Sequence, residues 1–353
     1  MHERAAEQLT LPAELSMRRL ARRALGVAAL LVVVGLVAAF APGLAEVRAR
    51  FGDARPAWLL LALVLEFLSG VSYVAMFRPV FCASASWRTS WEIGWSELAV
   101  GSLVPASGAG GLALGAWILH HSGMPGDKIA RRSVAFFLVK SAVNFAAVAL
   151  IGGAMALGLF GPPLSPLLTA LPAALSALVI AAVLVLPRLG HGPEPRAAQG
   201  RLRRAVRAVR RAVVDGTSEA VRILRSGNAL VIGGAIGYWA FDNAVLWATY
   251  HAFQASVPLS VVLMGYLIGQ LGGLLPIPGG LGGIDGGLIG TLIVYGAPPA
   301  ATAAAVLAYR VILFWLPLIV GGIAFAGLRR GLNRPDRPDL CTPGPIRAAN
   351  VSP

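Results

Sequence analysis

Six stretches of this sequence, at about 24–41, 57–78, 133–157, 167–186, 229–253 and 301–327, stay apolar for as long as a hydrocarbon core demands of a helix, about 20 residues. In lipid a segment finds no water for its backbone N–H and C=O groups, and a helix satisfies them internally. Only 13% of the residues are charged and 57% are hydrophobic, whereas soluble domains carry roughly 25% charged residues. The expected fold is an all-α integral membrane protein. Its membrane domain covers 24–327, between a basic N-terminus at 1–23 and a tail at 328–353 expected to be disordered.

Two more apolar stretches, 94–119 and 261–295, are broken by Pro and Gly at Pro105–Gly111 and Pro276–Gly283. Their orientation follows from the basic residues, which collect in short cytoplasmic loops. The N-terminal arginines, Arg78 and Arg88, Lys128, Arg131 and Arg132, the 187–226 loop, and Arg329, Arg330 and Arg334 then face inside. The loops at 158–166 and 254–260 carry no Lys or Arg and face outside. The 42–56 loop must also be outside, although it contains Arg48, Arg50 and Arg55. Stretch 94–119 therefore enters and leaves on the inner side and 261–295 on the outer side. Six transmembrane helices plus two oppositely oriented re-entrant hairpins result, with both termini cytoplasmic in a cell (plasma) membrane.

The hairpins also resemble each other. A shift of 171 positions sets Gly94 on Gly265, Trp95 on Tyr266, Gly101 on Gly272, Pro105 on Pro276, Gly108 on Gly279 and Gly111 on Gly282. Glycine-rich apolar sequence aligns with itself easily. With one residue deleted, however, the match continues into the next span, where Ala135 falls on Ala305, Lys140 on Arg310 and Phe145 on Trp315. Repeats at about 94–157 and 265–327, entering from opposite faces, form the inverted repeat on which secondary transporters build alternating access.

Lys140 and Arg310 lie inside apolar spans, where a charge costs about 2.5–3.5 kcal/mol on insertion scales. They need partners. These are either the carboxylates Glu66, Glu97, Asp242 or Asp285, in a structural ion pair, or an anionic substrate. The breaks around Pro105, Gly108, Gly111, Pro276, Gly279, Gly280 and Gly282 leave helix-start N–H groups that can cradle phosphate. Close helix packing is the alternative use of those glycines, as in the small-xxx-small spacing of Gly279, Gly283 and Gly287. Glu66, Glu97, Asp242 and Asp285 are candidate carriers of a coupling proton or ion.

No metal set, nucleotide loop or nucleophile–base pair emerges, so neither a cofactor nor enzymatic activity is expected. Cys82 and Cys341 are too few for a disulfide framework or a thiolate metal site. The net charge of +14 is spread between the apolar runs, which suits anionic lipid heads and not nucleic acid. Within 187–226 a basic amphipathic helix is expected, with Leu202, Val206, Val209 and Val213 on one face. It is either a surface helix on anionic lipid or a solvated loop.

The segment LLPIPGGLGGIDGGL at 274–288, followed by Arg310 in AYRVILFWLPLIVGG, resembles the PGGLG-x-x-E and downstream Arg pattern of the flippase-like, lysylphosphatidylglycerol-synthase transmembrane family. LVPASGAGGLALGAWIL at 103–119 is similar to that family's first hairpin. The resemblance spans roughly 20–330. It implies handling of anionic or aminoacylated lipids, or lipid-linked sugars, across the membrane. Asp285 stands where the family commonly has Glu, and the first hairpin lacks the usual acidic and basic residues. The stretch after the last span has no room for a soluble aminoacyltransferase domain, so aminoacyl-lipid synthesis is not expected. The leading expectation is a translocator of an anionic lipid or lipid-linked headgroup bound by the two hairpins, Lys140 and Arg310. A carrier of a small soluble anion, or a non-transporting scaffold, are the alternatives. Oligomeric state is left open.

Overall fold

A computed structural model describes residues 45–103, 109–185, 201–269 and 283–332, with scattered positions between 19 and 32 and residue 188. Regular structure among the described residues is helical: α1 (Ala45–Gly52), α2 (Pro56–Phe81), α3 (Trp87–Leu103), α4 (Ala109–His121), α5 (Gly126–Ala156), α6 (Ala170–Val185), α7 (Arg201–Arg225), α8 (Ala229–Ala252), α9 (Leu259–Gly269), α10 (Gly283–Val294) and α11 (Pro299–Leu332).

Four of these, α2, α5, α8 and α11, are long and apolar enough to cross a membrane. Their ends follow local chemistry. Helix α2 opens with Pro56 in its first turn, where a missing N–H costs no hydrogen bond. Helix α8 opens on Asn228, whose side chain accepts from the N–H groups of Leu230 and Val231. Gly227, at φ +66°, turns the chain between α7 and α8. The stretch expected to span at 167–186 forms α6, 16 residues long and so roughly 24 Å, short of a core about 30 Å thick. Most of the 24–41 stretch and the 328–353 tail beyond residue 332 lie outside the described residues. The 42–56 loop contains α1, tied to the end of α8 where Arg55 N–H donates to Ala252 O at 2.8 Å and Gln254 Nε2 to Asp53 O at 3.0 Å.

Helices α2 and α8 form the central pair and run antiparallel. Trp58 meets Trp247 and His251 at one end, Ser69 Oγ donates to Tyr238 O at 3.2 Å midway, and Gly234 backs onto Ser72 and Met76 at the other. A Cβ on Gly234 would collide with the Ser72 carbonyl and Met76. Helix–helix association in lipid has no hydrophobic drive and depends on such close packing of small residues.

Helix α3 packs on α4, and α9 on α10. Gly111 and Gly115 on α4 let it approach Glu97 of α3, while Gly265 and Gly269 on α9 receive Leu292 and Leu288 of α10. Helix α11 lies along α3, with Gly321 against the Trp95 carbonyl and Ala99.

The basic region contains the expected helix, and α7 is docked on α5. Gly216 fits against Val134 and the Arg131 carbonyl. Buried Glu219 accepts from Arg222 at 2.6 and 2.5 Å, Arg132 Nε lies 4.0 Å from it, and Arg132 also donates to Phe81 O. The residues turned inward are Val214, Thr217 and Ala220, whereas Val209 and Val213 stay exposed.

Candidate functional site

The polar residues of the apolar interior are arranged in stripes. On α2, Glu66, Ser69 and Tyr73 recur at helical spacing and so share one face. On α8, Tyr238 and Asp242 are four residues apart. Because α2 and α8 are antiparallel, with Ser69 opposite Tyr238, Glu66 comes opposite the turn holding Asp242, and the two carboxylates are charge neighbours.

Four further helices close on this crossing. From α3, buried Glu97 accepts a hydrogen bond from Tyr73 Oη at 2.7 Å. From α9 and α11, Tyr266 and Tyr309 both donate to the Asp242 carboxylate, Tyr309 at 2.9 Å. From α5, Lys140 Nζ lies 5.4 Å from the centre of the Tyr238 ring and 6.0 Å from that of Tyr73, within reach of a cation–π attraction. Arg310 of α11 pairs with Asp285 in the first turn of α10, Nε to Oδ1 at 2.6 Å. Lys140 and Arg310 are both charge neighbours of Asp242, and Lys140 also of Glu97.

Among the expected residues, Lys140, Arg310, Glu66, Glu97, Asp242 and Asp285 thus gather around one crossing, and Arg310 takes Asp285 as its ion-pair partner. A Cβ on Gly111 would strike the Glu97 carbonyl, so close packing accounts for that glycine. Pro105, Gly108, Pro276, Gly279, Gly280 and Gly282 lie outside the described residues. Sequence reasoning missed Tyr73, Tyr238, Tyr266 and Tyr309, which bond to the carboxylates or face Lys140, and Gly115, which makes room for the Glu97 side chain. A signal existed: the Tyr238–Asp242 spacing, and the Glu66, Ser69, Tyr73 stripe on an otherwise apolar helix.

Chemically this is a mixed-charge site in an apolar surround. Lys140 makes no ion pair within 4 Å among the described residues, so its charge rests on rings and on carboxylates farther off. Beside it, an apolar cleft of about 460 Å³ separates α5 from α8, with Leu224 of α7 at its edge. Val139 and Trp239, chain neighbours of Lys140 and Tyr238, line this cleft.

Long apolar helices around a buried charged cluster define a multi-pass membrane protein. The chain belongs to the lysylphosphatidylglycerol synthase TM region family, whose match covers residues 24–321. It is similar to a UPF0104 membrane protein of Methanothermobacter thermautotrophicus, 26% identical over 326 residues, 83% of this chain and 93% of that protein. A UPF0104 membrane protein of Methanocaldococcus jannaschii is 32% identical over 97 residues, 27% of this chain and 29% of its own length.

Proposed function

We propose that the protein translocates an anionic lipid or lipid-linked headgroup, held between Lys140 and Arg310 at the crossing of α2 and α8. The observation that carries this reading is that cations from two different helices, α5 and α11, converge on one buried carboxylate, Asp242. An anionic headgroup can take over the interactions of Lys140, which no close ion pair holds. The apolar cleft between α5 and α8 favours a lipid over a soluble anion, because a chain can lie there while the headgroup reaches Lys140.

In this proposal α3–α4 and α9–α10 are re-entrant hairpins of an inverted repeat, and the chain sits in the plasma membrane with both termini inside. The described helices α4, α9 and α10, of 13, 11 and 12 residues, are shorter than a span needs, each pair is followed by a long helix bearing a cation, and α2 and α8 run in opposite directions. In each half a Tyr–carboxylate hydrogen bond joins the long helix to the first hairpin arm across 24 positions of sequence, Tyr73 to Glu97 and Tyr266 to Asp242. Asp285 helps to hold Arg310 in place.

The test is protein reconstituted in vesicles with a fluorescent phosphatidylglycerol and a quencher confined to the outside. Transbilayer movement faster than in protein-free vesicles, and lost in Lys140→Ala, is the expected result. Arg310→Lys keeps the charge and loses planar contact with phosphate, so it should slow movement in folded protein. Movement unaffected by both substitutions overturns the site. Uptake of inorganic phosphate in place of lipid movement would favour the soluble-anion carrier.

A further inference from the structure

The interior cluster does not balance its charge. Glu66, Glu97, Asp242 and Asp285 are four carboxylates, and Lys140 and Arg310 are two cations. Segments 104–108 and 270–282 of the sequence contain no charged residue. Uncompensated charge in a low-dielectric interior is costly. The site as a whole therefore favours binding positive charge.

Glu66 marks where that charge goes. Asp285 has Arg310, Glu97 has the Tyr73 hydroxyl, and Asp242 has two tyrosines. Glu66 is only 7% exposed, and its Oε2 is buried with no hydrogen-bond partner among the described residues. Its charge neighbours are Asp242 and Tyr238 from α8 and Tyr309 from α11. Glu97 of α3, Lys140 of α5 and Arg310 of α11 complete the charged surroundings. A carboxylate oxygen without a donor, beside a second carboxylate, lacks what one proton supplies: loss of a charge and an O–H in its place.

We infer that Glu66 and Asp242 form a proton-binding pair, and that the proton held there drives the translocation proposed above. The inference rests on that translocator reading for its output but not for the binding itself. In the step, one proton adds to a carboxylate of the pair to give a neutral carboxyl, and returns to water on the other side when the site reopens. Substrate and proton are linked through Asp242, since it is a charge neighbour of both Lys140 and Arg310. Neutralising the pair weakens its hold on Lys140, which is then available to an anionic headgroup, while Asp285 keeps Arg310 in place beside it. Proton and anion therefore bind cooperatively, and a proton gradient pulls the lipid with it.

Two measurements on the full-length protein test this. On purified protein, infrared difference spectra across a pH titration should show the C=O stretch of a neutral carboxyl, and Glu66→Gln should remove it. Asp242→Asn, if it folds, should move the pH at which the band appears. In vesicles with fluorescent phosphatidylglycerol, a gradient of about one pH unit should shift the steady-state distribution of the probe up to about tenfold for one coupled proton. Glu66→Gln should bring that ratio to one, measured against exchange without a gradient in the same vesicles.

An infrared spectrum identical in wild type and Glu66→Gln overturns the pair, as does a probe shift driven by a sodium gradient with pH held equal. If the probe moves but ignores pH in wild type, coupling is overturned and the translocator stands. If the band behaves as expected but no probe moves under any condition, the proton site stands and the translocator reading, with the coupling built on it, is overturned.

Discussion

The half of the molecule from α2 to α5 and the half from α8 to α11 use similar parts differently. In the first, the hairpin carboxylate is Glu97 on the leading arm, and the following cation, Lys140, lies over aromatic rings without a close ion pair. In the second, the hairpin carboxylate is Asp285 on the trailing arm, bonded to Arg310 at 2.6 Å. The 171-residue shift places Leu114, fully buried, opposite Asp285 and Ile268 opposite Glu97. Each half thus keeps one acid for its cation but holds it on a different arm. The packing differs as well. Helix α11 lies closely along α3 through Gly321, whereas α5 meets α9 over a shorter stretch. The repeat alignment sets Ile151 at the place of Gly321, and Ile151 lines the cleft between α5 and α8, while its neighbour Gly152 meets Met264 of α9. One half is clamped here and the other, with its shorter contact, has more slack.

The most drastic way to break this comparison is topological. In a background without Cys82 and Cys341, cysteines at the exposed positions His121 and Pro298 follow the two hairpins. If the hairpins enter from opposite faces, an impermeant thiol reagent added to intact cells labels Pro298→Cys, and His121→Cys reacts only after lysis. Labelling of both from one side ends the inverted repeat.

Next in size is the unequal role of the two cations. Arg310→Ala breaks the Asp285–Arg310 pair, and removing one member of a buried pair costs about 3–5 kcal/mol. The upper end is not expected here, since the two side chains are 14% and 18% exposed. Lys140→Ala should cost clearly less, because no ion pair is broken. Thermal unfolding in detergent measures both. Arg310→Ala combined with Asp285→Ala should regain stability, and regaining translocation as well would remove Arg310 from the substrate site. Equal losses for the two cations would erase the distinction between the halves.

These contrasts also separate what was legible in the sequence from what was not. The spans at α2, α5, α8 and α11 were legible because a helix in lipid needs an uninterrupted apolar run, and the amphipathic period announced α7. The alignment put Lys140 and Arg310 at matching positions, but it could not say that only one of them has a close carboxylate. That depends on which hairpin arm bears the acid, and so on how the arms pack. The tyrosines were hidden because a Tyr in an apolar helix reads as core aromatic until the residue facing its hydroxyl is known. The docking of α7 through Gly216 and Glu219 was hidden for a related reason, since a basic helix suits lipid and protein surfaces equally. Asp285 was read as a place where the family prefers Glu. Its bond to Arg310 was one of four open pairings.

A smaller effect tests the clamp. Gly321 and Gly322 are adjacent on α11, yet a Cβ at Gly321 would strike the Trp95 carbonyl and Ala99, while at Gly322 it would meet nothing within 4 Å. Gly321→Ala should destabilise by about 1–3 kcal/mol, as overpacking does. Gly322→Ala should be neutral or gain up to about 1 kcal/mol from helix propensity. Equal effects would mean that α3 and α11 do not hold each other as closely as the geometry has it, and the slack in the other half would lose its contrast.

The smallest expected difference is between two hydroxyls, and it isolates the exchange of roles between the halves. Tyr73 donates to Glu97, and among the described residues no second side-chain donor reaches that carboxylate. Tyr266 donates to one oxygen of Asp242, Oδ2, and Tyr309 to the other, Oδ1, at 2.9 Å, so the shared carboxylate charge keeps one donor when either is lost. A buried acceptor left without a donor costs about 1–3 kcal/mol, whereas an acceptor that keeps a second bond loses about 0.5–1.5 kcal/mol. Tyr73→Phe should therefore lower stability more than Tyr266→Phe, although both delete one oxygen from a buried ring. Tyr266→Phe combined with Tyr309→Phe should cost more than the sum of the two single changes, because only the double variant strips Asp242 of both hydroxyls. Unfolding midpoints of the four variants in one detergent decide it. If Tyr266→Phe alone matches Tyr73→Phe, then Tyr309 does not support Asp242 and the carboxylate is held as singly as Glu97. The two halves would then be chemically alike at this point, and their difference would reside in helix packing.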